Sequence, residues 1–187
     1  MTYTSDFNGH IAVLHRVREM GPDIMNAAQA ITDCYRAGGK LIAFGNGGSS
    51  SQASHFAGEL VNTYLVRNRP GLPAIALNDP VLMSAWANDV GYADVYRRQL
   101  QAYYQLGDIV FGISTSGNSE NVVEAMQYAR EKDARTIGLT AGNGGRMLQY
   151  CSLPLVVPTD STPRAQEMHL LIIHMLCRKI EEDMSGL

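Results

Sequence analysis

Five short apolar runs recur along this chain of 187 residues, with amphipathic stretches between them. The runs are 40–44, 73–77, 109–113, 136–140 and 153–157. Each is too short for a typical helix and too continuously apolar for a strand with one wet face. The stretches between them, 52–66, 80–104, 120–132 and 144–150, read as helical. This alternation predicts the α/β class, a three-layer α/β/α fold around a five-stranded parallel sheet. Ahead of the first run, residues 7–37 read as one or two helices. Ile11, Leu14, Val17 and Met20 share one helical spacing, Ile24, Ala27, Ala28 and Ile31 a second, and Gly21-Pro22 marks a break. After the last run, Thr162 reads as an N-cap with Pro163 at the first helical position. The helix it opens, 163–184, is apolar nearly all round through Met168, Leu170–Ile173, Met175 and Leu176. No linker divides the chain, so 1–187 reads as one domain: helices over 7–37, a core over 38–158 and the last helix. The helical ends need an apolar partner surface and predict helix-mediated oligomerisation.

Two of the runs lead into loops built for an anion. The third run enters Ser114-Thr115-Ser116-Gly117-Asn118-Ser119 and then an amphipathic helix. Such a turn gathers hydroxyls, free backbone N–H groups and the positive end of a helix at one point. No lysine is among them, which suits a phosphosugar better than a nucleoside triphosphate. The first run enters Gly45-Asn46-Gly47-Gly48-Ser49-Ser50-Ser51, with a helix beginning near Gln52. Its glycines allow positive φ and close approach of backbone to ligand. Neither loop ends in the Gly-Lys-Ser/Thr of a nucleotide P-loop, and the dinucleotide Gly-x-Gly-x-x-Gly is missing. Ligands of open parallel sheets lie at the carboxyl ends of the strands, where both loops fall.

A net charge of −3 and a pI near 5.9 argue against a nucleic-acid surface. The sequence has no apolar run of about 18 residues for a membrane span. Its N-terminus lacks the basic and apolar regions of a signal peptide, so a cytoplasmic location is expected. Cys34, Cys151 and Cys177 read as reduced thiols.

His55 and Glu59, four apart, share a helix face after the glycine loop. An imidazole and a carboxylate so placed can chelate a zinc-type cation, act as a base with its partner, or simply form an ion pair. Gln166 and His174 lie on the last helix, with Arg164, Glu167 and His169 nearby. A histidine at 174 is costly to bury without a partner. Eight residues of helix rise about 12 Å, so one metal reaches both 166 and 174 only if both lean inward or if different subunits supply them. Asn88-Asp89 reads as a helix-end turn or a polar site, and Arg67–Gly71 as a solvated turn.

These features together resemble the sugar isomerase (SIS) domain, and more closely the phosphoheptose isomerases. The likeness rests on both loops, the His55/Glu59 pair, Arg69–Leu77, Gly112–Ser119 and Thr162–His169, and spans nearly the whole chain. It implies conversion of sedoheptulose 7-phosphate to D-glycero-D-manno-heptose 7-phosphate through an enediol(ate). It also implies Glu59 and His174 in the acid–base roles, with one Zn2+ per subunit on His55, Glu59, Gln166 and His174. The phosphate would fall to Ser114, Thr115, Ser116 and Ser119. The sugar would fall to Asn46, Gly47, Gly48, Glu59, Asn88, Asp89 and Gln166. A homotetramer with sites at subunit interfaces is implied too. Many relatives carry Asp where Gln52 stands and Arg where Thr63 stands, which leaves room for another sugar phosphate as substrate. The related replication-initiator-associating scaffolds lack the glutamate and the final histidine, and this chain has both.

Overall fold

A computed structural model describes residues 3–185. Helix α1 (Tyr3–Val17) passes through a 3-10 turn, Arg18–Met20, into α2 (Gly21–Arg36). Strand β1 (Leu41–Gly45) is followed by α3 (Gly48–Val61), and β2 (Ala74–Ala76) by α4 (Pro80–Asp89) and α5 (Val95–Tyr103). Strand β3 (Ile109–Ile113) leads to α6 (Glu120–Glu131), and β4 (Arg135–Ala141) to a 3-10 turn at Arg146–Tyr150. Strand β5 (Leu153–Val157) and α7 (Thr162–Ser185) end the fold.

All five strands are parallel, in the order β2-β1-β3-β4-β5. Leu41 lies between Ala74 and Ile109, and Ile137 pairs with Leu153. Strands β1 and β3 are buried along their whole length, which is why they read as unbroken apolar runs. Alternate residues serve two cores. Leu41, Ala43, Ile109 and Phe111 pack against α2, α3 and α7, while Ile42, Phe44 and Val110 pack against α5 and α6. Pro154 cannot donate to a ladder, and it stands on the edge strand β5.

Element boundaries differ from the sequence reading for identifiable reasons. Helix α1 begins at Tyr3, not 7. Helix α3 begins at Gly48, because Gly47 turns the chain with a φ of +54° and the loop serines form the first turn. The span 80–104 is two helices, broken where Gly91 takes a φ of +139°. Asp79 caps the first of them by accepting from the N–H groups of Val81 (2.9 Å) and Leu82 (3.0 Å). Thr162 is already inside α7, whose first turn hangs on the Ser161 carbonyl. Nor is α7 buried all round, since Leu170 and Met175 are exposed. Met175 and Leu171 border a groove of about 380 Å³ shared with Leu14 and Val17 of α1.

The turn at Arg67–Gly71 is solvated at its tip but not at Arg69, which is buried. Its Nε donates to Glu181 at 2.7 Å, and both side chains are 3% exposed. Glu181 also accepts from the backbone N–H groups of Tyr64 (3.0 Å), Leu65 (2.7 Å) and Val66 (3.0 Å). The rest of the guanidinium donates to the carbonyls of Leu60, Pro70 and Glu59 at 2.8, 2.9 and 2.6 Å. Burial pushes the Glu181 carboxyl up, but the Arg69 hydrogen bond and the three backbone donors outweigh it and hold it below the ordinary value. Its contribution to stability is therefore complete above the ordinary carboxylate range and is lost as pH falls through the lowered value. Removing one partner of such a buried pair costs about 3–5 kcal/mol, or roughly 6–20 °C in Tm for a chain of this size. Glu181→Leu should show that loss in a thermal melt at neutral pH, and a melt within a degree or two of the parent would contradict it.

Candidate functional site

The strand order reverses between β1 and β3, whose chains leave the sheet toward opposite neighbours. The loops after these two strands therefore open side by side at the carboxyl edge, the place where parallel sheets bind ligands. They are tied across the gap by a reciprocal amide pair. Asn46 donates to Asn121 Oδ1 at 2.8 Å, and Asn121 donates back at 2.9 Å. Tyr92 adds a hydroxyl on Asn46 at 2.9 Å, and the buried Tyr96 hydroxyl bonds the Gly45 carbonyl. Neither tyrosine nor Asn121 stands out in the sequence, because their partners lie 46 to 75 residues away.

In the second loop, Ser114 is buried at the end of β3 and its Oγ bonds Ser119 Oγ at 3.1 Å. Ser119 is the N-cap of α6, and its carbonyl accepts from Val122 and Val123. Ser116 Oγ accepts the Asn118 N–H at 3.2 Å. Gly117 has a φ of +62°, and a Cβ there would overlap the Gly144 carbonyl. The loop is thus pressed against the segment after β4. A cleft of about 300 Å³ adjoins it, lined by Thr115, Ser116, Gly142, Asn143, Asp160 and Thr162. Arg146 donates to the Asn118 carbonyl at 3.3 Å, a cation at the loop's edge that the sequence reading missed.

Helices α3 and α7 run side by side in the same direction. At their start, Gln166 lies so close to Gly48 that a Cβ on Gly48 would overlap its amide. Gln52 donates to the Gln166 carbonyl at 2.6 Å, a bond that an ionised carboxylate at 52 could not make. The other end of that amide, Gln52 Oε1, is buried without a protein partner. Two turns further along, His55 and His174 meet through their Nε2 atoms at 2.9 Å, and Glu59 Oε1 stands 3.5 Å from His55 Nε2. Tyr64 lies over the His174 ring, centroids 5.7 Å apart. The structure thus gathers His55, Glu59 and His174 at one point and places Gln166 with the glycine loop. Asn88 and Asp89 end α4 exposed, bonded to each other at 3.1 Å, three and four residues before Tyr92. Thr63 is half-buried in the loop after α3. Among the described residues, no group of three or more His, Cys, Asp and Glu forms a metal-holding cluster.

With this geometry in view, known proteins are informative. The model of the SIS domain family matches residues 7–141. A phosphoheptose isomerase from Helicobacter hepaticus is 44% identical over 180 residues, covering 96% of this chain and 91% of its own. The phosphoheptose isomerase of Geobacter sulfurreducens is 45% identical over 166 residues, covering 88% and 87%. This chain belongs to the SIS domain family, among the phosphoheptose isomerases. A solved phosphoheptose isomerase from Francisella tularensis superposes on this SIS domain with a TM-score of 0.93 at 35% identity, over 97% of this chain and all of that one. One from Neisseria gonorrhoeae superposes at 0.90, also at 35% identity, over 96% and 97%.

One histidine of this SIS domain faces away from the site. His169 is fully buried, its Nε2 3.1 Å from the Thr140 carbonyl and its Nδ1 unpartnered. Burial drives its pKa down to about 4, against the smaller upward pull of that carbonyl. The native state holds this ring neutral while the unfolded chain protonates it near 6.5. Its contribution is therefore fully present above pH 6.5 and is lost toward pH 4, at about 1.4 kcal/mol per pH unit. Urea titrations between pH 7 and 4.5 should show a shallower acid loss in His169→Leu than in the parent, and parallel pH profiles would exclude this role.

Proposed function

We propose that this chain interconverts sedoheptulose 7-phosphate and D-glycero-D-manno-heptose 7-phosphate. The observation that carries the reading is the meeting of His55, Glu59 and His174 two helical turns from the glycine loop. The relatives at 44–45% identity, named phosphoheptose isomerases, support it. The phosphate would lie on Ser114, Thr115, Ser116 and Ser119, at the N-terminus of α6. Asn46, Gly47, Gly48 and Gln166, with Asn88 and Asp89 at the rim, would line the sugar. Glu59 would take a proton from C1 of the ketose and return it at C2. His174 would move the proton between the two oxygens, so that an enediol(ate) forms and collapses to the aldose. Hydrogen-bond donors around the developing oxyanion would lower the barrier further.

We propose that His55, Glu59 and His174, with the Gln166 amide supplied from its own or a neighbouring subunit, would hold a zinc-type cation, since imidazole nitrogen and carboxylate oxygen are its ordinary ligands. When bound, it would polarise the substrate oxygens. We propose a homotetramer with sites at subunit interfaces, supported by the exposed Phe7, Ile11 and Leu14 of α1 and Leu170 and Met175 of α7. No helix among the described residues is long and apolar enough to cross a membrane. A second substrate reading, another sugar phosphate, rests on Gln52, whose amide holds Gln166 where many relatives carry a carboxylate.

Proton NMR with sedoheptulose 7-phosphate in D₂O tests this directly. An aldoheptose anomeric signal should grow in, with deuterium entering at C2, and a chelator should suppress it. Glu59→Gln should lower kcat by at least roughly 10²-fold. Turnover of a pentose or hexose phosphate but not of the heptulose would move the assignment to the second substrate.

A further inference from the structure

We propose that Tyr64 is a positioning residue for His174, locked in place by the buried Glu181–Arg69 pair. The Tyr64 ring lies over the His174 imidazole with centroids 5.7 Å apart and planes 26° from parallel. The His55 ring meets the same imidazole at 5.1 Å with planes 58° apart, through the Nε2 contact. A hydrogen bond at one ring nitrogen does not fix the plane of a histidine, because its outer torsion is broad and two-fold. A flat neighbour parallel to the ring does.

Tyr64 sits in the loop after α3, outside any helix or strand. What holds it is Glu181, which takes the N–H groups of Tyr64, Leu65 and Val66 in succession. Glu181 is seven residues beyond His174 on α7, about two turns along, so the two share a helix face. Arg69 closes the carboxylate at 2.7 Å and with its other arm holds the Glu59 carbonyl at 2.6 Å. One carboxylate therefore sets three pieces in register: the helix with His174, the loop with Tyr64 and the helix end with Glu59. A pair needed only for stability would not have to gather the backbone on either side of a ring stacked on a site histidine. The kinetic half of this inference rests on the isomerase reading, and the ring contact does not.

The test combines kinetics with NMR of histidine-labelled protein. Tyr64→Leu should lower kcat by roughly 10–100-fold while KM changes by less than about threefold, since misplacement of a reacting group acts on the chemical step. Tyr64→Phe, which keeps the ring, should restore kcat. In the parent protein the His174 ring protons, identified by their loss in His174→Asn, should lie upfield of those of the exposed His15, within the ring current of Tyr64. They should stay upfield in Tyr64→Phe and move downfield in Tyr64→Leu. His174 signals at the position of an exposed histidine would overturn the proposal whether or not Tyr64→Leu folds, as would a Tyr64→Leu enzyme with the parental kcat. Upfield His174 signals in a parent protein that turns over no sugar phosphate would instead overturn the isomerase reading.

Discussion

The reversal of strand order between β1 and β3 is the constraint on which the rest of the molecule depends. A parallel sheet must send each strand's exit to one face or the other. Where the direction of winding changes, two exits separate and leave a gap at the carboxyl edge. Here the gap receives a glycine loop on one side and a hydroxyl loop on the other. The reciprocal Asn46–Asn121 amides bridge it, so the two loops are held at a set spacing before any ligand arrives. Both asparagines spend donor and acceptor on each other, which keeps neither free to drift.

A second layer of order lies outside the sheet. Helices α3 and α7 come from distant parts of the chain and pack in the same direction, so residues near the start of one face residues near the start of the other. Gln166 meets Gly48, and His174 meets His55 two turns later. The glycine loop and the His55–His174 pair therefore sit at separate places along the same two helices. The apolar bulk of α7 is what brings them there, since Ala165, Met168, Ile172, Ile173 and Leu176 fill the core beneath it.

Much of this was legible in the sequence because it is local. Five short apolar runs announced the five strands, and two of them led visibly into glycine and serine. Helix phase showed that His55 and Glu59 share a face. What escaped was carried by partners far apart in the chain. Arg69 sits in a stretch that looks like any polar turn, and its burial is decided by Glu181, 112 residues later. Tyr92 and Tyr96 look like ordinary core or interface aromatics until their hydroxyls reach Asn46 and Gly45. The burial of His169 escaped too, since only the packing of α7 against β4 sends it into the core, whereas His174, which the family resemblance had marked, meets His55.

The close approach of Gly117 to the Gly144 carbonyl bears on how such a protein can change over evolutionary time. Two backbones in van der Waals contact leave no room for a side chain, so that part of the anion loop tolerates almost no substitution. New substrate preferences would therefore be expected to arise away from this contact, at positions such as Gln52 and Thr63, while the backbone pressed against Gly144 stays as it is. Selection would act on this domain as on a socket with a permanent base and replaceable walls.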